Sequence, residues 1–127
     1  MAKYEHLPIY KKAMELSIYT HNMVQKFSRY NKYAIGADIR QETYEIIKLI
    51  VRANTEKQKI PILKELVLHC EMFKNMLILA KEVKAFQNFS SFQQAASMAS
   101  VLCKQSQGWL NSTVKNSQNH QPPKSGR

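Results

Sequence analysis

The sequence predicts an all-α protein, an antiparallel up-down-up-down four-helix bundle. Three observations predict it. Apolar residues recur at spacings of three and four in four separate stretches, the period of a helix with one buried face. Short polar segments join those stretches, and short connections make successive helices antiparallel neighbours. No stretch shows the apolar–polar alternation of a half-buried strand.

The first helix is expected from Pro8 to Phe27. Proline suits a first helical position because its missing N–H would have no partner there anyway. Ile9, Ala13, Leu16, Thr20, Met23, Val24 and Phe27 line one narrow face, and Lys12, Tyr19 and Lys26 recur every seven residues on another. A polar turn, Ser28–Lys32, leads to a second helix from Tyr33 to Ala53. Ile35, Ile39, Ile46 and Ile50 mark its core side, and Tyr44, Lys48 and Arg52 follow one another by single turns on the far side. Gly36 lies inside this helix. An interior glycine costs roughly 1 kcal/mol against alanine, which points to close approach of another backbone.

After a polar connection, Asn54–Lys59, the third helix is expected from Ile60 to Ala85, with Pro61 in its first turn. It carries two apolar rows. One is Leu63, Leu66, Cys70, Phe73, Leu77 and Ala80; the other is Leu68, Met72, Met76, Leu79 and Val83. Together they cover an arc of roughly 200°, twice the ~100° that a surface helix needs. The bundle covers the first row, and the second calls for another surface, such as a second subunit or a folded-back terminus. The fourth helix is expected to start at Ser90 or Ser91, each with a glutamine three residues on as in a capping box, and to end near Asn111. Phe92, Ala95, Ala96, Ala99, Leu102, Cys103 and Leu110 form its inner face. From Ser112 the pattern stops. The domain division expected is a bundle over 7–112 and a disordered basic tail over 113–127.

A length of 127 residues suits one domain with a core of its own. No apolar run is long enough to cross a membrane, and MAKYEHLPIYKK lacks the apolar core of a secretory signal, so the expected location is the cytoplasm. The net charge is +10, and no acidic residue follows Glu82. Such a balance favours polyanionic partners through counterion release, or serves solubility alone. Cys70 and Cys103 are too few for a disulfide scaffold. They are expected buried and reduced, at about the same height on antiparallel helices.

No catalytic constellation is present. His6, His21, His69 and His120 are scattered. His69 and Cys70 are adjacent and so point about 100° apart on a helix. No second pair stands at zinc-ligand spacing, and no Glu-x-x-His set builds a di-iron site. No enzyme activity, metal or cofactor is expected. The positive signal is binding: aromatic rings interleaved with cations can stack on bases while touching phosphates. The candidate nucleic-acid or partner residues are Lys12, Tyr19, Lys26, Arg40, Tyr44, Lys48 and Arg52. The candidate oligomer interface is Leu68, Met72, Met76, Leu79 and Val83.

Read whole, LPIYKKAMELSIYTHNMVQKFSRYNKY, IGADIRQETYEIIKLIVRANTEKQK and the closing Gly108-Trp109-Leu110 resemble the Avd family, the accessory variability determinants of diversity-generating retroelements. The resemblance covers about residues 7–112 and lies in order and spacing. Gly36, Ile39 and Arg40 also resemble the Gly-x-x-Ile-Arg helix of bundle proteins encoded in ribosomal-RNA intervening sequences. Their usual Asn-Ile-Ala-Glu-Gly ending is replaced here by Val51-Arg52-Ala53-Asn54, which favours Avd. The resemblance implies a homopentameric ring. It also implies binding to a reverse transcriptase and its template RNA or cDNA, in support of adenine-directed mutagenic retrohoming. The alternatives are an intervening-sequence protein and a basic structural oligomer with no reverse transcriptase partner.

Overall fold

The computed structural model describes residues 4–119. A short 3-10 turn, Tyr4–His6, precedes five helices: α1 Pro8–Gln25, α2 Arg29–Tyr33, α3 Ile35–Thr55, α4 Lys59–Glu82 and α5 Phe89–Asn119. The four long ones pack cyclically, α1 on α3, α3 on α4, α4 on α5 and α5 back on α1. This is the expected four-helix bundle, with no strand among the described residues.

All seven residues of the expected face of the first helix are buried. So are Ile39, Ile46, Leu49, Ile50 and Ala53 on α3 and the whole first row of α4. Ile35, at the start of α3, is only partly buried and packs at the rim of the core. Local signals set the ends. Pro8 opens α1. Pro61 lies in the first turn of α4, where its missing N–H costs nothing. The Lys59 ammonium donates to the carbonyls of Ala53 (2.6 Å) and Asn54 (3.2 Å), placing a cation at the electronegative end of α3.

Three expectations need correction. The turn over Ser28–Lys32 contains a helical segment, α2, separated from α3 by Ala34 alone. None of its residues is buried, so it has no apolar face for periodicity to detect. The cap of α5 is Asn88 rather than a serine: its side-chain oxygen accepts the Ser91 N–H at 2.9 Å, leaving Ser90 and Ser91 inside the first turn. Helix α5 also continues to Asn119, through residues 113–119 that were expected to begin the tail. Lys115–Gln118 are exposed, so an apolar stripe is not required there. Residues 120–127 of the expected tail lie outside the described residues.

Cys70 and Cys103 are buried, free thiols that lie near enough across the α4–α5 seam to influence one another's ionisation. Their heights match as expected. The Cys70 contact and burial push the Cys103 thiol up, which keeps it protonated and unreactive.

The two glycines placed on helices have opposite environments. A Cβ on Gly36 would meet Val24 Cγ1 at 2.7 Å and the Asn31 carbonyl oxygen at 2.9 Å. The close backbone approach inferred from the sequence is thus the Asn31 carbonyl of α2, and the Val24 side chain at the end of α1 closes the space from the other side. A Cβ on Gly108 meets nothing within 4 Å. Gly36→Ala is expected to destabilise by about 1–3 kcal/mol through overpacking, whereas Gly108→Ala is expected to stabilise by about 1 kcal/mol through helix propensity. Urea denaturation of the two variants checks the opposite signs.

Helix α4 ends in a Schellman motif. The Ala85 N–H bonds the Ala80 carbonyl at 2.9 Å and the Lys84 N–H bonds that of Lys81 at 3.0 Å. This places Lys84 at φ 62°, a left-handed position that usually holds glycine.

Candidate nucleic-acid and partner surfaces

The seven candidate binding residues do not form one surface. Tyr19 is half-buried against the core, and its hydroxyl reaches the Ser91 carbonyl at 3.4 Å, so it belongs to the α1–α5 seam. Tyr44 is 45% exposed and belongs to the α1–α3 seam. Its hydroxyl lies 2.9 Å from His21 Nε2, while His21 Nδ1 lies 3.1 Å from the Ser17 carbonyl. A carbonyl can only accept, so Nδ1 carries the proton and the neutral ring's Nε2 accepts from the tyrosine. Ser17 and Thr43 extend this polar seam with a 3.2 Å hydroxyl contact.

Three of the candidate cations already have carboxylate partners. Lys12 pairs with Glu15 (3.2 Å), Lys48 with Glu45 (3.1 Å) and Arg52 with Glu56 (3.0 Å). The Lys48 hydrogen bond holds the Glu45 carboxyl below its ordinary value, and the Glu56 hydrogen bond raises the Arg52 guanidinium. Solvent screens exposed pairs of this kind, so they add little stability, and a phosphate can displace the carboxylate at small cost. Lys26 and Arg40 have no ion pair among the described residues.

Glu42 does not pair with a basic residue of its own helix. It bridges α3 to α4 through His69 Nδ1, with Glu65 4.0 Å from Nε2. His69 faces this seam while Cys70 faces the core, as their helical angle requires. Among the described residues, no group of three or more His, Cys, Asp and Glu side chains could hold a metal ion.

The second apolar row of α4 is open. Leu68 is 60% exposed, Met72 47%, Leu79 51% and Val83 48%. Met76 is only partly exposed and packs against the core. The row runs about 22 Å along the helix, at 1.5 Å per residue. Neither α5 nor a folded-back terminus covers it among the described residues.

Sequence periodicity missed one cluster. Tyr30 (81% exposed), Tyr33 (71%) and Phe89 (59%) are the most exposed aromatics among the described residues. All three sit at the end of the bundle where the α1–α2 turn meets the α4–α5 turn. The signal was local: Arg29-Tyr30 and Lys32-Tyr33 alternate cations with rings in a segment that has no core face.

No helix among the described residues is long and apolar enough to cross a membrane. No curated protein matches the chain. A family model described as bAvd-like matches residues 7–113, the span from the entry to α1 into the last turns of α5. Avd-like identity supports a general role as an accessory protein of diversity-generating retroelements, and it agrees with a non-enzymatic protein. Because the match takes in all four long helices and the turns between them, the chain belongs to the bAvd-like family.

Proposed function

We propose that the protein is a cytoplasmic, homo-oligomeric accessory subunit, a pentameric ring by family likeness. In this reading it binds the retroelement's reverse transcriptase together with template RNA or cDNA and so supports mutagenic retrohoming. The observation that carries the reading is the family match over residues 7–113. The net charge of +10 and the open apolar row on α4 support it. A ring would repeat each basic surface, so that weak phosphate contacts add through effective concentration.

The test is co-purification with the reverse transcriptase encoded nearest to this gene, at low and high salt, followed by RNA binding to the complex. Stable co-purification is expected, with RNA affinity falling steeply as salt rises. Lys48→Glu with Arg52→Glu is expected to weaken RNA binding while helicity and assembly stay intact. A reverse transcriptase that never co-purifies would overturn the partner assignment. Unchanged RNA affinity in the double variant would remove those two residues from the interface.

A further inference from the structure

We propose that the end of the bundle formed by the α1–α2 and α4–α5 turns binds unpaired bases of single-stranded RNA or cDNA. Tyr30, Tyr33 and Phe89 are the stacking platforms, and Lys26, Arg29, Lys32 and Lys84 are the phosphate contacts. The proposal rests on the reading that the protein binds nucleic acid, and it adds the place and the form of strand preferred.

Four observations converge there. First, the two turns are pinned together by a chain of rings. Phe27 meets Phe86 edge-on at 5.1 Å, Phe86 meets Phe92 at 5.6 Å, and Phe89 meets Phe92 at 5.6 Å. The surface is therefore held by packing although it consists of turns.

Second, Lys26, Arg29, Lys32 and Lys84 have no carboxylate partner among the described residues, in contrast with Lys12, Lys48 and Arg52. Their charge is available to a phosphate without breaking an existing pair. Lys81 is engaged, 3.4 Å from Glu82 and 5.0 Å from the centre of the Phe92 ring.

Third, the rings are open. A base has an apolar face that a tyrosine or phenylalanine can cover whatever the sequence, and in a duplex that face is already stacked. Exposed rings beside free cations therefore select single strands. A groove of about 280 Å³, lined by Lys81, Lys84, Phe86, Asn88, Phe89 and Phe92, borders the cluster. The opposite end of the bundle is also basic, with Lys57, Lys64 and Lys115 exposed, yet its aromatics are not open: Tyr4, Tyr10 and Trp109 are partly buried.

Fourth, Lys84 occupies a strained position. Its φ of 62° would cost glycine nothing. The Schellman turn thereby sets a cation next to the open ring of Phe89, and both line the same groove.

The test measures binding of a fluorescent oligouridylate and of a same-length RNA duplex to the full chain. The variants are Tyr30→Ala/Tyr33→Ala/Phe89→Ala, Lys84→Gly and, at the opposite end, Lys57→Gln/Lys64→Gln. Wild type is expected to prefer the single strand by about tenfold or more. The triple variant is expected to lose that preference while keeping its duplex affinity and its melting temperature. Lys84→Gly separates function from folding, because it should melt higher yet bind both RNAs more weakly.

A triple variant that retains the wild-type preference overturns the site, and so does weakening confined to the opposite-end variant. If the triple variant keeps RNA binding but no longer co-purifies with the reverse transcriptase, the surface is a protein dock and the inference is wrong. If wild type binds neither RNA, the nucleic-acid reading itself fails, a result distinct from misplacement of the site.

Discussion

If the protein assembles as proposed, Leu68→Glu with Met72→Glu is expected to yield a folded monomer. Both side chains lie about half or more in the open, so the charges are solvated in an isolated subunit and the bundle does not lose core contacts. In an assembly the same positions would be covered. Each lost apolar contact then forfeits about 1.5–3 kcal/mol, and a carboxylate placed in a dry interface costs more again. Light scattering reads the mass and circular dichroism the helicity; the expected pair of results is a single-subunit mass with unchanged helix content. A wild type that is itself monomeric would remove the oligomer proposal. Met76 is a poor choice for this test because it packs partly against the core, so Met76→Glu would confound assembly with folding.

One position further along, Phe73→Ala is expected to lower unfolding stability by about 3–5 kcal/mol, through lost transfer free energy and the cavity left behind. Phe73 is 0% exposed and stands midway along the α4 row that faces the core, one turn from Cys70 and one from Leu77. Against a typical total of about 5–15 kcal/mol, this single change takes a large share. Urea denaturation checks it, and a loss below about 1 kcal/mol would mean that the core collapses around the site. Residues 72 and 73 are adjacent in sequence but about 100° apart on the helix, so one variant tests the assembly and the other the fold.

The long helices were legible because their information is local. Ile9 to Phe27, Ile39 to Ala53 and Leu63 to Ala80 repeat with the helical period, and burial follows that period. The close approach at Gly36 and the meeting of Cys70 with Cys103 were also legible, from helix propensity and from antiparallel register. Helix α2 and the last turns of α5 were not, since helix without a buried face leaves no periodic trace. The cap of α5 was misplaced because three residues within four positions, Asn88, Ser90 and Ser91, all have side chains able to cap.

The candidate site divides the same way. From the sequence alone came the all-helical class, the basic charge, the family likeness and the overwide arc of α4, since each depends on residue identity and spacing along one chain. Only the tertiary structure decided that Tyr19 packs into one seam while Tyr44 lies in another. It also decided that Tyr30, Tyr33, Lys84 and Phe89 share one end of the bundle. Those facts join residues that are distant in sequence, and helical periodicity says which way a side chain points but not what stands opposite it.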